Sequence, residues 1–222
     1  YVVSSLSANL NATIPVTFTD VDLTDRNHSV SIKDVVASGS VGGLILDKET
    51  LKSLVTIGQV NQVTGGSAAS LNLDFNVNSS EINYLGNNET LTLTYTVEVV
   101  DTSGGKTTQN FLVNITGSND APAFNSLMRS YAMFSSFDPY RESSASDEVY
   151  ENALTSTVIF TPSATDVDES DALTYSLKAN SIDIAYLNIN TSTGAVTLKS
   201  SADYEAKSIY SFTIVATDLG GL

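Results

Sequence analysis

Apolar and polar positions alternate with a period of two along most of this chain. Ile14, Val16 and Phe18 form one such run, and Leu71, Leu73, Phe75 and Val77 a second. Leu91, Leu93, Tyr95, Val97 and Val99 form the longest, followed by Phe111, Val113 and Ile115. This period places alternate side chains on one face, so each run predicts a strand with one buried side. Between the runs the chain is rich in Asn, Gly, Ser and Asp, the residues of turns. No stretch of useful length has a helical period. Residues 41–63 are ambiguous, and Asp47-Lys48-Glu49-Thr50 could open one short helical turn. The alternation returns later, at residues 158–160, 173–177, 196–198 and 210–216. Many short strands with turn signals and no helices predict an all-β chain of antiparallel sandwiches. The length, 222 residues, fits one large domain or two smaller ones.

The acidic residues follow the strands. Thr19-Asp20-Val21-Asp22 ends one strand, Asn87-Asn88-Glu89 precedes the strongest, and Asp101 ends it before Thr102-Ser103-Gly104-Gly105. The second half repeats these features in the same order. Thr165-Asp166-Val167-Asp168 matches the first and Asp203-Tyr204-Glu205 the second. Thr217-Asp218-Leu219-Gly220-Gly221 matches the third. The chain therefore reads as an internal tandem. Gly117-Ser118-Asn119-Asp120-Ala121-Pro122 lies between the halves. Gly117 permits a turn out of the last strand, Pro122 fixes its own φ, and Ala121 before it is driven to an extended conformation. The expected organisation is a sandwich over 1–118, a linker over 119–122 and a second sandwich over 123–222. Strand direction puts Asp20, Asp22 and Asp101 at the N-terminal pole of the first unit and Glu89 at the pole near the linker.

Charge narrows the function. Ten Lys and Arg against 25 Asp and Glu give a net charge of −15. No basic face is available for a nucleic-acid backbone or an anionic lipid surface. No apolar run approaches the roughly 18 residues of a membrane span. There is no cysteine, so no disulfide contributes. The acids sit at strand ends in repeated positions, with neither a nucleophile–base set nor a Gly-rich phosphate loop, which argues against an enzyme. The single histidine, His28, reads as a plain surface residue.

Residues 125–147 are more chain than one edge strand needs. They hold both methionines, Arg129 and Arg141, and the aromatics Tyr131, Phe134, Phe137 and Tyr140. Aromatics and Arg are enriched at binding hot spots, so this insert could grip a cell-surface glycan or peptide. It could equally be a longer hairpin or short helix packed on its own domain, or be cleaved at Asp138-Pro139. In the second half Gly220-Gly221 is followed only by Leu222, so its last strand is expected to be missing. Asn11, Asn88 and Asn114 stand in Asn-x-Thr triplets that would accept a glycan in a eukaryotic setting.

Several motifs together resemble a known family. Tyr150-Glu151-Asn152, Ala164-Thr165-Asp166-Val167-Asp168, Asp203-Tyr204-Glu205 and Ala216-Thr217-Asp218 are similar to a cadherin-like domain. Phe18 to Asp22, Tyr84-Leu85-Gly86, Glu89-Thr90-Leu91-Thr92 and Gly117 to Pro122 resemble the related VCBS-type repeat of long bacterial surface adhesins. The resemblance implies two tandem Greek-key sandwiches, Ig-like or cadherin-like, in a secreted adhesin of the RTX class that serves attachment or biofilm. It also implies calcium bound between neighbouring domains of one chain. The central set would be Asn87, Glu89, Asn119, Asp120, Asp166, Asp168 and Asp218. Glu151, Asp203 and Glu205 would serve a downstream site, and Asp20, Asp22 and Asp101 an upstream one. The position matching Glu151 in the first half is about Ser5, which is not acidic. The donor set suits the ion: calcium takes about six to eight oxygens in flexible geometry, whereas zinc and copper favour nitrogen and sulfur. Extracellular calcium modules bind at about 10⁻⁴ to 10⁻³ M, so the chain would be soft during export and stiff outside.

Overall fold

The computed structural model describes residues 2–4, 9–21, 27–62, 67–125, 131–134, 148–168 and 172–222. The chain divides into two compact units, Tyr1–Asn119 and Asp120–Leu222.

The first unit is a sandwich of long strands. Its elements are β1 (Val2–Ser4), β2 (Asn9–Thr19), β3 (Ser29–Gly39), α1 (Lys48–Ser53), β4 (Val55–Ile57), β5 (Asn61–Gln62), β6 (Ala68–Asn78), β7 (Thr90–Val100) and β8 (Lys106–Thr116). One sheet runs β1-β8-β7-β3, and the other β2-β6-β4 with β5 also paired to β6. Every pairing is antiparallel except β1 on β8. The predicted alternation is realised: Leu71, Leu73, Phe75 and Val77 of β6 face Leu91, Leu93, Tyr95 and Val97 of β7 in one core. Most outward side chains of β7 are polar, and Thr92 and Thr96 donate to Asn114 and Asn110 across the strands, both at 2.9 Å.

Strand β3 lies at the edge of its sheet, and it departs from the simple pattern. Ile32 pairs with Val97 but Asp34 pairs with Thr96, so the register shifts at Lys33. This bulge lets Ile32 and Val35 both pack on the core although they are an odd number of residues apart. Lys33 and Asp34 are left for the surface, where Lys33 meets Glu98 at 2.8 Å and Lys48 pairs with Asp34. These lysines hold both carboxyls below the usual range. The facing sheet has Pro15 in its own edge strand β2, where a missing N–H costs no ladder bond.

The helical turn expected at Asp47 forms as α1. Asp47 caps it by accepting from the Thr50 N–H at 2.8 Å, and Leu51 is buried. The buried Tyr95 hydroxyl donates to the Leu51 carbonyl at 2.8 Å, tying α1 to the middle of the core. Burial drives the Tyr95 phenol far above its ordinary value.

The second unit is built from shorter pieces: β9 (Ala123–Phe124), β10 (Tyr131–Phe134), β11 (Glu148–Tyr150), β12 (Val158–Phe160), β13 (Ala164–Thr165), β14 (Thr174–Leu177), β15 (Leu187–Ile189), β16 (Val196–Leu198), β17 (Ile209–Tyr210) and β18 (Ile214–Thr217). They pair as β11-β10-β17, β12-β16-β15, β13-β9 and β14-β18. Val149, Ile159, Leu187, Val196, Leu198, Tyr210 and Ile214 form the core. The expected run over 210–216 is divided into β17 and β18, because Asp183 and Ser181 take the backbone N–H groups of Ser211 and Thr213.

Tyr95→Phe keeps the ring but removes one of the two hydrogen bonds to the Leu51 carbonyl, which still accepts from Leu54 N–H. It should cost about 0.5–1.5 kcal/mol, read as a lower denaturant midpoint at unchanged slope.

Candidate functional site

The acidic turns are built by carboxylates that accept backbone N–H groups. At the end of β7, Asp101 Oδ1 accepts from Ser103 at 2.8 Å and Gly105 at 2.7 Å. At the end of β18, Asp218 Oδ1 accepts from Gly221 at 2.6 Å and Leu222 at 2.9 Å. Gly104 and Gly221 each have φ +90°, a backbone state that favours glycine. The two turns are thus the same device in both units. The structural match puts Gly221 opposite Gly104, one place away from the alignment of the glycine pairs read in the sequence.

Three acids at the start of the second unit are linked. Asp168 N–H donates to Asp166 Oδ1 at 3.0 Å, and Asp120 N–H donates to Asp168 Oδ2 at 2.9 Å. Asp168 is 4% exposed and Asp218 5%. Asp166 Oδ2 is buried and has no hydrogen-bond partner. A buried carboxylate oxygen without a donor is costly and suits a cation. All the donors are hard oxygens, so the residues fit calcium better than a softer metal.

A second acidic group gathers elsewhere in the same unit. Glu151 is held above its ordinary value, first by a shared hydrogen bond with Glu205, then by the charge of Glu205, partial burial and the charge of Asp203. Asp203 shapes the turn that carries Glu205: its Oδ1 accepts from Ala206 N–H at 2.9 Å, and its carbonyl from Lys207 N–H at 2.9 Å. The three downstream candidates therefore lie within electrostatic reach of one another.

In the first unit, Asp20 and Asp101 line one cavity of about 250 Å³ together with His28. His28 is not the surface residue its sequence suggested. Its side chain is 3% exposed, Nε2 lies 2.9 Å from Asp20 Oδ2, and its ring stacks edge-on against Phe18. Glu89 Oε2 accepts from Gly86 N–H at 3.2 Å, and Glu89 carbonyl accepts from Gly117 N–H at 3.0 Å. A Cβ at Gly117 would run into the Leu85 carbonyl, so close backbone approach fixes that glycine. Asn87 is exposed, and Asn119 is half-buried. Asp22 lies outside the described residues. So do Arg129, Phe137, Tyr140 and Arg141 and most of 125–147, while Tyr131 and Phe134 are described only as backbone of β10.

Among the described residues, no three His, Cys, Asp or Glu side chains form a ready metal cage. Sequence reading also missed a polar cluster. Asp183, 4% exposed, holds Lys207 Nζ at 2.7 Å, and Lys207 lies over the rings of Tyr186 and Tyr210. Only the 24-residue separation of two opposite charges could have hinted at it, and that is no signal.

A cadherin-domain family model matches residues 146–222. Among solved structures, human CDH23 EC21-23 superposes with a TM-score of 0.57 at 20% identity, over 98% of this chain and 66% of that one. Protocadherin gamma B7 extracellular cadherin domains 1-4 superpose with a TM-score of 0.50 at 17% identity, over 100% of this chain and 45% of that one. The chain thus spans less than two thirds of either. At these identities the likeness is one of fold, and the fold is cadherin-like. No curated protein matches the chain.

The Glu151–Glu205 repulsion gives a signed pH effect. A carboxyl raised in the folded state is stabilising while protonated, and that stability is lost as pH rises through its folded value. Glu205→Gln should therefore raise the melting temperature in chelator at pH 7 and leave it nearly unchanged below pH 4. Equal shifts at both pH values would contradict the pairing.

Proposed function

We propose that this chain is a calcium-stiffened extender or adhesion segment of a large secreted bacterial surface adhesin. The observation that carries the reading is the buried, unpartnered Asp166 Oδ2 beside the buried Asp168 carboxylate. Asp120, Asp166 and Asp168, with Asp218, would supply carboxylate oxygens to one ion. Backbone carbonyls and water would complete the coordination, as calcium's flexible geometry permits. Glu151, Asp203 and Glu205 would take a second ion, and Asp20 and Asp101 would contribute to a third.

The physical gain is relief of like-charge repulsion. Two carboxylates about 4 Å apart repel by roughly 4 kcal/mol at an effective dielectric near 20. A bound divalent ion turns that repulsion into attraction and stabilises only the ordered state. The net charge of −15 supports the same reading, since such a chain is soluble and self-repelling until cations are supplied. The cadherin-like fold of the second unit supports an extracellular adhesion module. The carboxylates at strand ends serve to hold an ion and not to transfer protons to a substrate.

Calcium at 10 to 100 times its dissociation constant should stabilise the chain by about 1.4–2.7 kcal/mol per site. Titration calorimetry and melting in millimolar calcium against chelator measure this. Absence of both heat and stabilisation would reject the reading. Asp166→Ala with Asp120→Ala should remove the calcium dependence of the small-angle scattering profile, while a profile indifferent to calcium in the unaltered chain would reject the stiffening.

A further inference from the structure

Part of the insert at residues 125–147 has a defined place in the fold. β10 lies between β11 and β17, parallel to the first and antiparallel to the second. In the first unit β8 lies between β1 and β7 in the same two senses. The registers agree as well. Asn114 of β8 pairs with Thr92 of β7 and with Val2 of β1. Ala132 of β10 pairs with Ile209 of β17 and with Glu148 of β11. Thr92 stands nine residues before Asp101 and Ile209 nine before Asp218, the two acids that close matching turns. Val2 stands three residues before Ser5 and Glu148 three before Glu151, the pair already matched in the sequence. The neighbours of β10 therefore hold the places of the neighbours of β8, residue for residue.

We propose that β10 is the closing strand of the second unit: residues 131–134 do for β11 and β17 what β8 does for β1 and β7. β8 enters its sheet from the Asp101 turn, whereas β10 enters from the N-terminal side, ahead of β11 in the sequence. The length of the insert follows from this. A strand parallel to the next one in sequence needs a crossover of about a dozen residues or more, and the 13 residues 135–147 join β10 to β11. A hairpin would need only about two to five. Without β10, the backbone groups it pairs on β11 and β17 would lose their ladder partners, in the strands that carry Val149 and Tyr210 into the core. The seat between β11 and β17 is one strand wide, so no other extended segment pairs there while β10 is in place. Along β10 the insert is thus a structural part of its own unit and not a free ligand loop. This assignment does not depend on calcium.

The chain has no cysteine, so an introduced pair reports on this seat directly. In the full chain, Ala132→Cys with Ile209→Cys sets two thiols opposite each other across an antiparallel ladder, within disulfide range. They should link in a glutathione buffer, read by mass spectrometry of the joined peptides. Tyr131→Cys with Ile209→Cys is one place out of register and faces the other way, so it should link roughly tenfold more slowly or less. Equal rates for the two pairs, or no link in either, would overturn the proposal. Hydrogen exchange reads the same seat without a disulfide. In the unaltered chain in chelator, backbone amides within 148–150 and 209–210 should be protected. Ala132→Pro puts a residue without an N–H into a middle strand and should speed their exchange roughly tenfold or more. Fast exchange at both segments in the unaltered chain, or exchange there indifferent to Ala132→Pro, means that β10 does not close the sheet.

Discussion

A carboxylate oxygen accepting a backbone N–H is the interaction on which the ends of both units depend. Strand ends leave amides without ladder partners, and an amide left dry is expensive. Asp101, Asp166, Asp203 and Asp218 answer that need at four turns. Each bond uses one oxygen and fixes the carboxyl group in place. In the Asp166 case the other oxygen is left buried without a donor. Turn geometry and the placing of negative charge thus have one cause: the residue that closes the turn also presents the carboxylate.

The same cause explains why negative charge is tolerated at such density. Hydrogen bonds to the charged form of a carboxylate favour ionisation even where burial opposes it. Asp183 is the clearest instance, since Lys207 and the Ser211 amide overcome its desolvation. Where no backbone donor is at hand, as between Glu151 and Glu205, a shared hydrogen bond and the like charge hold Glu151 above its ordinary value. The two situations occur within one small unit, and they assign different work to residues of the same type.

Much of the fold was legible because strands with one buried face write themselves as alternation. β2, β6 and β7 follow that rule through their whole length, and β8 follows it from Phe111 onward. β3 escaped because the bulge at Lys33 breaks its period in the middle, so Ile32 and Val35 look out of phase. Helix α1 was readable from Asp47, whose cap is a local matter. The acidic turns were readable from repetition, although the offset of Gly104 and Gly221 shows that a conformational requirement, not the identity of a glycine pair, sets the match. His28 and Lys207 were misread or missed because their environments are made by partners that only folding brings near. Asp20 buries the first, and Asp183 with two tyrosines surrounds the second.

Two edge strands of the first unit, β2 and β3, are each marked against recruitment by another chain. Pro15 removes a donor from the rim of β2, and the bulge at Lys33 twists the rim of β3 while carrying charge. Crowded copies of such a sandwich that met along β2 or β3 would find rims that cannot zip into a continuous sheet. Fibril growth through these rims is therefore blocked by the backbone itself, and any lateral association must use side chains, which can let go.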